Sequence, residues 1–334
     1  MNPFFESWGH RVLNVILQGG LALGVALLIA LYVPRLPASV KVWTLRLAFL
    51  KLLMAGFVTG GYVLANVPPS KNLLPKSESP FASFTTYLLP VAFGLWLLSV
   101  VIGLWRHFGS KRRLTQIVHE SDRIEQSGIR DLYLKLCVQF GVKKAPALLS
   151  NPDVASPLLI KNGATSIVLP AFLLEDDSEE RLKVAIAHEL AHFRHRDLKW
   201  GWLIATADLV FFFHPLVKTG IKKLRLFEEY AADAAAMKAT QSGPSAYSRT
   251  LLSFAEASIS ASGVYAMADS ARELDRRIKQ VYINHKPRSR PQVAFAILVL
   301  LIGALALMPW SIQAERVKGK LLPGGGISPV AVKL

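Results

Sequence analysis

Four long apolar runs organise the chain, and each has about the 20 residues that a helix needs to cross a bilayer. The runs lie at about 13–33, 45–66, 83–105 and 292–312. The pattern therefore predicts four transmembrane helices, three before a long polar stretch and one after it. Arg46 and Lys51 interrupt the second run. Arg46 can snorkel towards the interface, and Lys51 must face protein or the interface.

The stretch between the third and fourth runs, residues 106–291, has the pattern of one folded domain. Apolar positions recur at helical spacing within 114–140. Three short apolar runs separated by Asn-Pro-Asp and Asn-Gly turns then predict β-strands, at 147–149, 158–160 and 166–169. Further helices are predicted from Asp177 or Ser178, either of which can cap, and over about 216–239. The fold class is therefore an α-helical membrane protein with an α+β domain.

One apolar stretch inside this domain, residues 200–217, leaves two interpretations open. It is slightly short for a span and contains Asp208. It either packs as a helix on its neighbour or lies shallowly in the membrane.

The charge pattern orients the chain. The formal net charge is +16, with 39 Lys and Arg against 23 Asp and Glu. Basic clusters follow the third run and precede the fourth, and cytoplasmic loops collect such residues. Residues 106–291 are therefore predicted to be cytoplasmic, with the N-terminus and the tail 313–334 outside. The same charge could suit a nucleic-acid partner, but membrane topology explains it. The expected partner is the lipid bilayer, and no specific nucleic acid is predicted.

The candidate chemistry begins with His-Glu-Leu-Ala-His, residues 188–192. Residues four apart share one helix face, so His188 and His192 can direct two imidazoles at one ion. Glu189, between them, can take a proton from the attacking water. Because the chain has a single cysteine, a metal must be held by histidine and carboxylate.

A third ligand is expected from a second helix, since catalytic zinc keeps three protein ligands and one open position. Glu229 is the favoured carboxylate, because Asp233 one turn later could accept the spare ring N–H of a ligand histidine. Glu228 is the rival for this role. Asp197 is expected to cap or to pair with Arg196 or a ligand histidine.

These motifs resemble the BlaR/MecR family of membrane zinc metallopeptidases, which are gluzincins. The resemblance rests on Ser156-Pro157, the run 167–170, the segments 187–192 and 213–217, and Glu-Tyr-Ala-Ala-Asp at 229–233. Three spans before the zinc domain and one after it extend the resemblance. Antibiotic-sensing members carry a penicillin-binding domain after the fourth span. Here only the tail 313–334 follows and Ser-x-x-Lys does not occur, so sensing of β-lactams by acylation is not expected.

The resemblance implies a zinc endopeptidase in a bacterial-type inner membrane. One zinc per chain would be held by His188, His192 and Glu229, with Glu189 as general base. The strand 166–169 is expected either to be the edge on which a peptide substrate lies or to be buried. The basic residues of 272–279 are interpreted as a helix face near anionic lipid.

Three functions are compatible with the sequence. The first is cleavage of a cytosolic or membrane-proximal protein, of which a transcriptional repressor is one example. The second is quality control of membrane proteins, resembling HtpX-type proteases. The third is a non-catalytic signalling scaffold with a structural zinc, against which the presence of Glu189 argues. Self-association into homo-oligomers is compatible with all three.

Overall fold

The computed structural model describes most of the chain as helix, with a small mixed sheet. The described residues are 3–33, 36–55, 62–67, 80–175, 178–261, 267–284, 310–314, 318–321 and 327–330. Most of the predicted fourth span, residues 292–309, lies outside them, as does the candidate cap Asp177.

The N-terminal region is helical and strongly apolar. Its helices are α1 (Pro3–Asn14), a π-helical turn (Val15–Gly19), α2 (Gly20–Tyr32), α3 (Ala38–Ala55) and α4 (Pro80–His119). Two helical stretches are long and apolar enough to cross a membrane, Ser7–Tyr32 and Tyr87–His119. Apolar side chains on α4, such as Leu95, Val101 and Trp105, are exposed. The first and third predicted spans therefore have suitable helices in the part of the chain that is described.

A mixed four-stranded sheet stands at the start of the predicted domain. Its strands are β2 (Asp122–Arg123), β3 (Ala147–Asn151), β4 (Leu158–Asn162) and β5 (Ala164–Pro170), in the order β2-β3-β5-β4. β3 and β5 are parallel, whereas β4 and β5 form an antiparallel hairpin. Gly163 joins the hairpin at a φ of +66°, which a side chain would strain.

Of the two alternatives for strand 166–169, the structure contains the buried strand and not the edge. β5 lies between β3 and β4, and Ile167, Val168 and Leu169 are fully buried. The edge beside it is β4. Two short pairs of strands lie elsewhere: β1 (Tyr62–Val67) pairs with β6 (Trp310–Ala314), and β7 (Lys318–Leu321) with β8 (Ile327–Val330).

The remaining helices follow the start of the sheet along the chain. They are α5 (Ser127–Gln139), α6 (Phe172–Glu175), α7 (Glu179–His195), α8 (Asp197–Val210), α9 (Pro215–Thr240), α10 (Pro244–Ala261) and α11 (Met267–Asn284). One core lies between the sheet, α5, α7, α10 and α11. A second core joins α2 and α3 to α8 and α9.

The second core shows how tightly the N-terminal helices contact the domain. A Cβ on Gly220 of α9 would lie 2.9 Å from Phe49 of α3 and 3.2 Å from Leu23 of α2. A side chain at this position would force Phe49 and Leu23 to shift. Leu203 and Ala207 of α8 are also fully buried in this core. Much of the stretch 200–217 therefore packs as a helix, although Trp202 remains exposed.

Candidate active site

Helix α7 carries the two histidines, and its ends follow from the sequence. Ser178 is its N-cap, and its hydroxyl accepts a hydrogen bond from the backbone N–H of Arg181 at 3.4 Å. Arg196 ends the helix in the left-handed conformation with φ 61°, and α8 begins at once. His188 and His192 lie one turn apart, with their Nε2 atoms separated by 3.1 Å.

Helix α9 packs against α7 and brings Glu229 to these imidazoles. One carboxylate oxygen of Glu229 lies 3.3 Å from Nε2 of His188, and the other lies 3.5 Å from Nε2 of His192. The potential ligand atoms of the three residues lie within 4.8 Å of one another. The structure thus brings together the three residues that the sequence predicts as metal ligands.

The spacing of these atoms suits a small tetrahedral ion. Zinc–nitrogen and zinc–oxygen bonds of about 2.0–2.2 Å in a tetrahedron place ligand atoms about 3.3–3.6 Å apart. The two Nε2 atoms lie 3.1 Å apart, and each lies 3.3 or 3.5 Å from a different oxygen of Glu229. These separations are close to that range, and one ligand atom from each residue lies within 4.8 Å of the others. Two imidazoles and one carboxylate also form a donor set that zinc uses with a fourth position left for water. The residues therefore fit the ion that the sequence predicts.

Glu228, the rival ligand, lies elsewhere. Its carboxylate accepts a hydrogen bond from Arg46 at 2.7 Å, and the residue is buried. Burial and the nearby Asp197 raise its pKa to about 7, although Arg46 opposes them. Adjacent residues on a helix point about 100° apart, so Glu228 and Glu229 cannot both face the imidazoles.

Each histidine has a carboxylate behind its other ring nitrogen. Nδ1 of His192 is 2.7 Å from Asp197, which is hydrogen-bonding distance. Nδ1 of His188 is 3.2 Å from Asp233, a close contact that is not a well-formed hydrogen bond. Carboxylates in this position fix the orientation of a ligand imidazole and raise its basicity. Asp233 therefore lies behind a ligand histidine, as the sequence predicts. Asp197 pairs with the other ligand histidine, which is one of the roles that the sequence left open for it.

Arg277 of α11 completes the cluster and was missed by the sequence interpretation. It lies 2.7 and 2.9 Å from the two oxygens of Asp233 and 3.1 Å from Glu229. The interpretation of 272–279 as a lipid-facing group is therefore wrong for this residue. A signal was available, because Arg277 stands in register with Leu274 and Val281 on the apolar face of the helix.

Asp233 is held from a third side by Tyr247 of α10. The tyrosine hydroxyl donates a hydrogen bond to Asp233 at 2.9 Å, and Tyr247 is fully buried. Buried hydroxyls of this kind need a partner, and here the partner is a buried carboxylate. α7, α9, α10 and α11 therefore meet at Asp233.

The charges at this site favour a cation between the three ligands. Burial alone would lower the pKa of His188, but Asp233 and Glu229 raise it to about 10. Burial raises the pKa of Glu229, but Arg277 and His188 outweigh burial and lower it to about 2. The carboxylates thus favour positive charge at the imidazoles, which a divalent ion supplies while leaving both rings neutral.

Glu189 lies beside these ligands and faces a cleft. Its side chain is only 7% exposed, and burial raises its pKa. The cleft has a volume of about 1770 Å³ and also contains His188, His192 and Glu229. Its other walls come from β4, α4 and α8, which contribute Leu158, Ile102 and Trp202 among others. Glu189 and the three predicted ligands therefore line the same cleft.

Replacement of Arg277 by glutamine tests whether this arginine organises the site. We expect about 10- to 100-fold weaker zinc binding, the usual loss when a partner of a metal ligand is removed. The control is Arg276→Gln, because Arg276 is the exposed neighbour on the same helix. Competition with a chelating indicator measures both affinities in purified full-length protein. Equal affinities of Arg277→Gln and the unaltered protein would contradict the assignment.

Comparison with known proteins identifies one family. Residues 63–281 match the family model described as BlaR1 peptidase M56. That segment is more than half of the 334 residues and contains every residue of the site from α7 to α11. A comparison with curated proteins gave no significant match.

Proposed function

The chain belongs to the BlaR1 peptidase M56 family, and from this and its site we propose that it is an integral-membrane zinc endopeptidase. One observation carries the proposal. His188, His192 and Glu229 bring their ligand atoms within 4.8 Å of one another, with Glu189 beside them in the same cleft. A scaffold with a structural metal would not need Glu189 in a cleft large enough for a peptide.

In the proposed mechanism, His188, His192 and Glu229 hold the zinc. Bound zinc would polarise the scissile carbonyl and lower the pKa of the attacking water. Glu189 accepts a proton from that water as it attacks the carbonyl carbon, and then gives the proton to the leaving amine. Asp233 and Asp197 keep the two imidazoles oriented with Nε2 towards the cleft.

β4 is the strand on which we propose that the substrate lies. Among the described strands it pairs with β5 on one side, and its residues 158–161 line the cleft. A peptide added to this free edge would gain backbone hydrogen bonds with little dependence on its sequence. We therefore propose that β4, and not its hairpin partner at 166–169, is the strand that binds the peptide substrate.

Membrane association follows from the family and from the apolar helices. We propose four spans in a bacterial-type inner membrane, with residues 106–291 on the cytoplasmic side and the N-terminus outside. The exposed apolar side chains of α4 support the third span, because they need an apolar environment. The basic residues 106–113 directly after that span support the orientation.

The proposed substrate is a cytosolic or membrane-proximal protein. α4 supports this choice, because one cleft wall contains Ser99 and Ile102 of the predicted span and Arg106 and Lys111 beyond it. In this proposal the cleft extends from the third predicted span into the domain. Cleavage of a transcriptional repressor would be one regulatory use of this geometry.

Removal of the metal tests the proposal. We expect about one zinc per chain in the purified full-length protein, and loss of self-cleavage or substrate cleavage when a chelator removes it. Added zinc should restore cleavage, because the ligand set remains folded around its carboxylate partners. The control is a non-chelating isomer of the same compound. Cleavage that persists in zinc-free protein would contradict the proposal.

A further inference from the structure

Arg46 lies in the middle of α3, yet it is only 1% exposed. Its Nη2 donates to Asp197 at 2.6 Å and to Glu228 at 2.7 Å. Its Nη1 donates to the backbone carbonyl of His195 at 3.4 Å. Arg46 therefore does not snorkel to the interface, as the sequence alone allowed. The side chain points into the protein, towards the corner between α7 and α8.

Two tryptophans hold the guanidinium in this position. The centre of the guanidinium lies 5.7 Å from the ring of Trp43 and 5.6 Å from the ring of Trp200. The two rings contact each other edge to face at 5.3 Å. The faces of aromatic rings attract a guanidinium, whose two terminal nitrogens here bond the carboxylates and the His195 carbonyl separately. These contacts fix the position of the Arg46 side chain.

Asp197 connects this arginine to the ligand histidine. One oxygen of Asp197 accepts from Arg46 at 2.6 Å, and the other lies 2.7 Å from Nδ1 of His192. We propose that Arg46 is a positioning residue that orients Asp197 and, through it, His192. The inference rests on the proposed function in one respect, namely that His192 binds zinc.

A consequence for the whole molecule is that the metal site extends into the N-terminal helices. Residues 45–55 of α3 lie in the second predicted span, whose end at 62–66 is part of β1 and not of a helix. α7 to α9 belong to the predicted cytoplasmic domain. Arg46 is 151 residues from Asp197 and 182 residues from Glu228 in the chain, and it joins both. A displacement of α3 that breaks these bonds would therefore release the carboxylate behind His192.

A double-mutant cycle on the full-length protein tests this route. The variants are Arg46→Gln, Asp197→Asn and the two combined, and the readouts are zinc affinity and the visible spectrum of the cobalt-substituted site. We expect about tenfold weaker zinc binding for Arg46→Gln and 10- to 100-fold for Asp197→Asn, with a changed cobalt spectrum in both. In the double variant the arginine substitution should add nothing, because its effect passes through Asp197.

A second cycle and a control distinguish the route through Asp197 from a route through Glu228 and from a loss of helix packing. In Glu228→Gln protein, Arg46→Gln should still weaken zinc binding about tenfold. Leu45→Ala removes a fully buried side chain from the same helix and should lower thermal stability without changing the cobalt spectrum. If Arg46→Gln does not fold, Arg46→Lys replaces it, with a smaller expected loss of the same kind.

The inference would be overturned if the losses of zinc affinity in Arg46→Gln and Asp197→Asn are additive. It would also be overturned if folded Arg46→Gln has an unchanged zinc affinity and cobalt spectrum. A last contradicting outcome is that both arginine variants fail to fold while Asp197→Asn folds. The last would assign Arg46 to the fold alone. Failure of the proposed function would look different, because the unaltered protein would then bind no zinc.

Discussion

Replacement of Glu189 by glutamine is expected to abolish peptide hydrolysis while zinc remains bound. Glutamine has the size of glutamate but cannot accept the proton of the attacking water. General base catalysis contributes about 10²- to 10⁴-fold to a rate, so we expect the turnover to fall about 10³-fold. Zinc should stay, because the predicted ligand atoms belong to His188, His192 and Glu229.

Zinc content and cleavage, measured on the same purified sample, check this result. Glu180→Gln is the matched control, because Glu180 lies on α7 as well but is exposed at its first turn. It should leave cleavage unchanged. Undiminished cleavage by Glu189→Gln would remove Glu189 from the mechanism. Loss of zinc from this variant would instead assign it a structural role.

Replacement of Glu229 by alanine is expected to remove zinc, whereas Glu228→Ala should retain it. Glu229 supplies the third ligand oxygen, 3.3 Å from His188 and 3.5 Å from His192. Glu228 contacts Arg46 instead. Because removal of an indirect partner already costs up to about 100-fold in metal affinity, we expect a larger loss for Glu229→Ala.

The two variants differ by one position on one helix, so each serves as the control of the other. Zinc per chain after dialysis, and affinity by competition, give the measurement. Glu228→Ala should bind zinc within about tenfold of the unaltered protein. Retention of zinc by Glu229→Ala with its loss from Glu228→Ala would reverse the choice of ligand.

The local part of the site could be predicted because helical geometry alone places its residues. His188 and His192 are four residues apart, as are Glu229 and Asp233, and a helix puts such pairs on one face. The motifs also predict the family, and the match over residues 63–281 confirms that resemblance. The zinc, its ligands and the general base stay predictions, to be decided by the experiments above.

The sheet order could not be predicted in the same way. The sequence indicates strands near 158–160 and 166–169, and the structure contains β4 and β5 there. An apolar strand is expected wherever a face is buried, and the pattern does not say which neighbours it has. β5 pairs with β3 on one side and with its hairpin partner β4 on the other. β5 is therefore central, and β4 is the edge strand at the cleft.

Taken by itself, the sequence determined what depends on neighbours along the chain: apolar runs, helix faces, the capped α7 and the paired motifs. The tertiary structure decided which partners Arg46 and Arg277 have. Both are basic residues in helices near predicted membrane segments. From the sequence alone, contact with lipid explains such residues as well as pairing with a carboxylate does. A buried charge needs an opposite charge, but that partner can lie anywhere in the chain. Only the packing of α3 and α11 against α7 to α9 brought these arginines to the carboxylates around the two histidines.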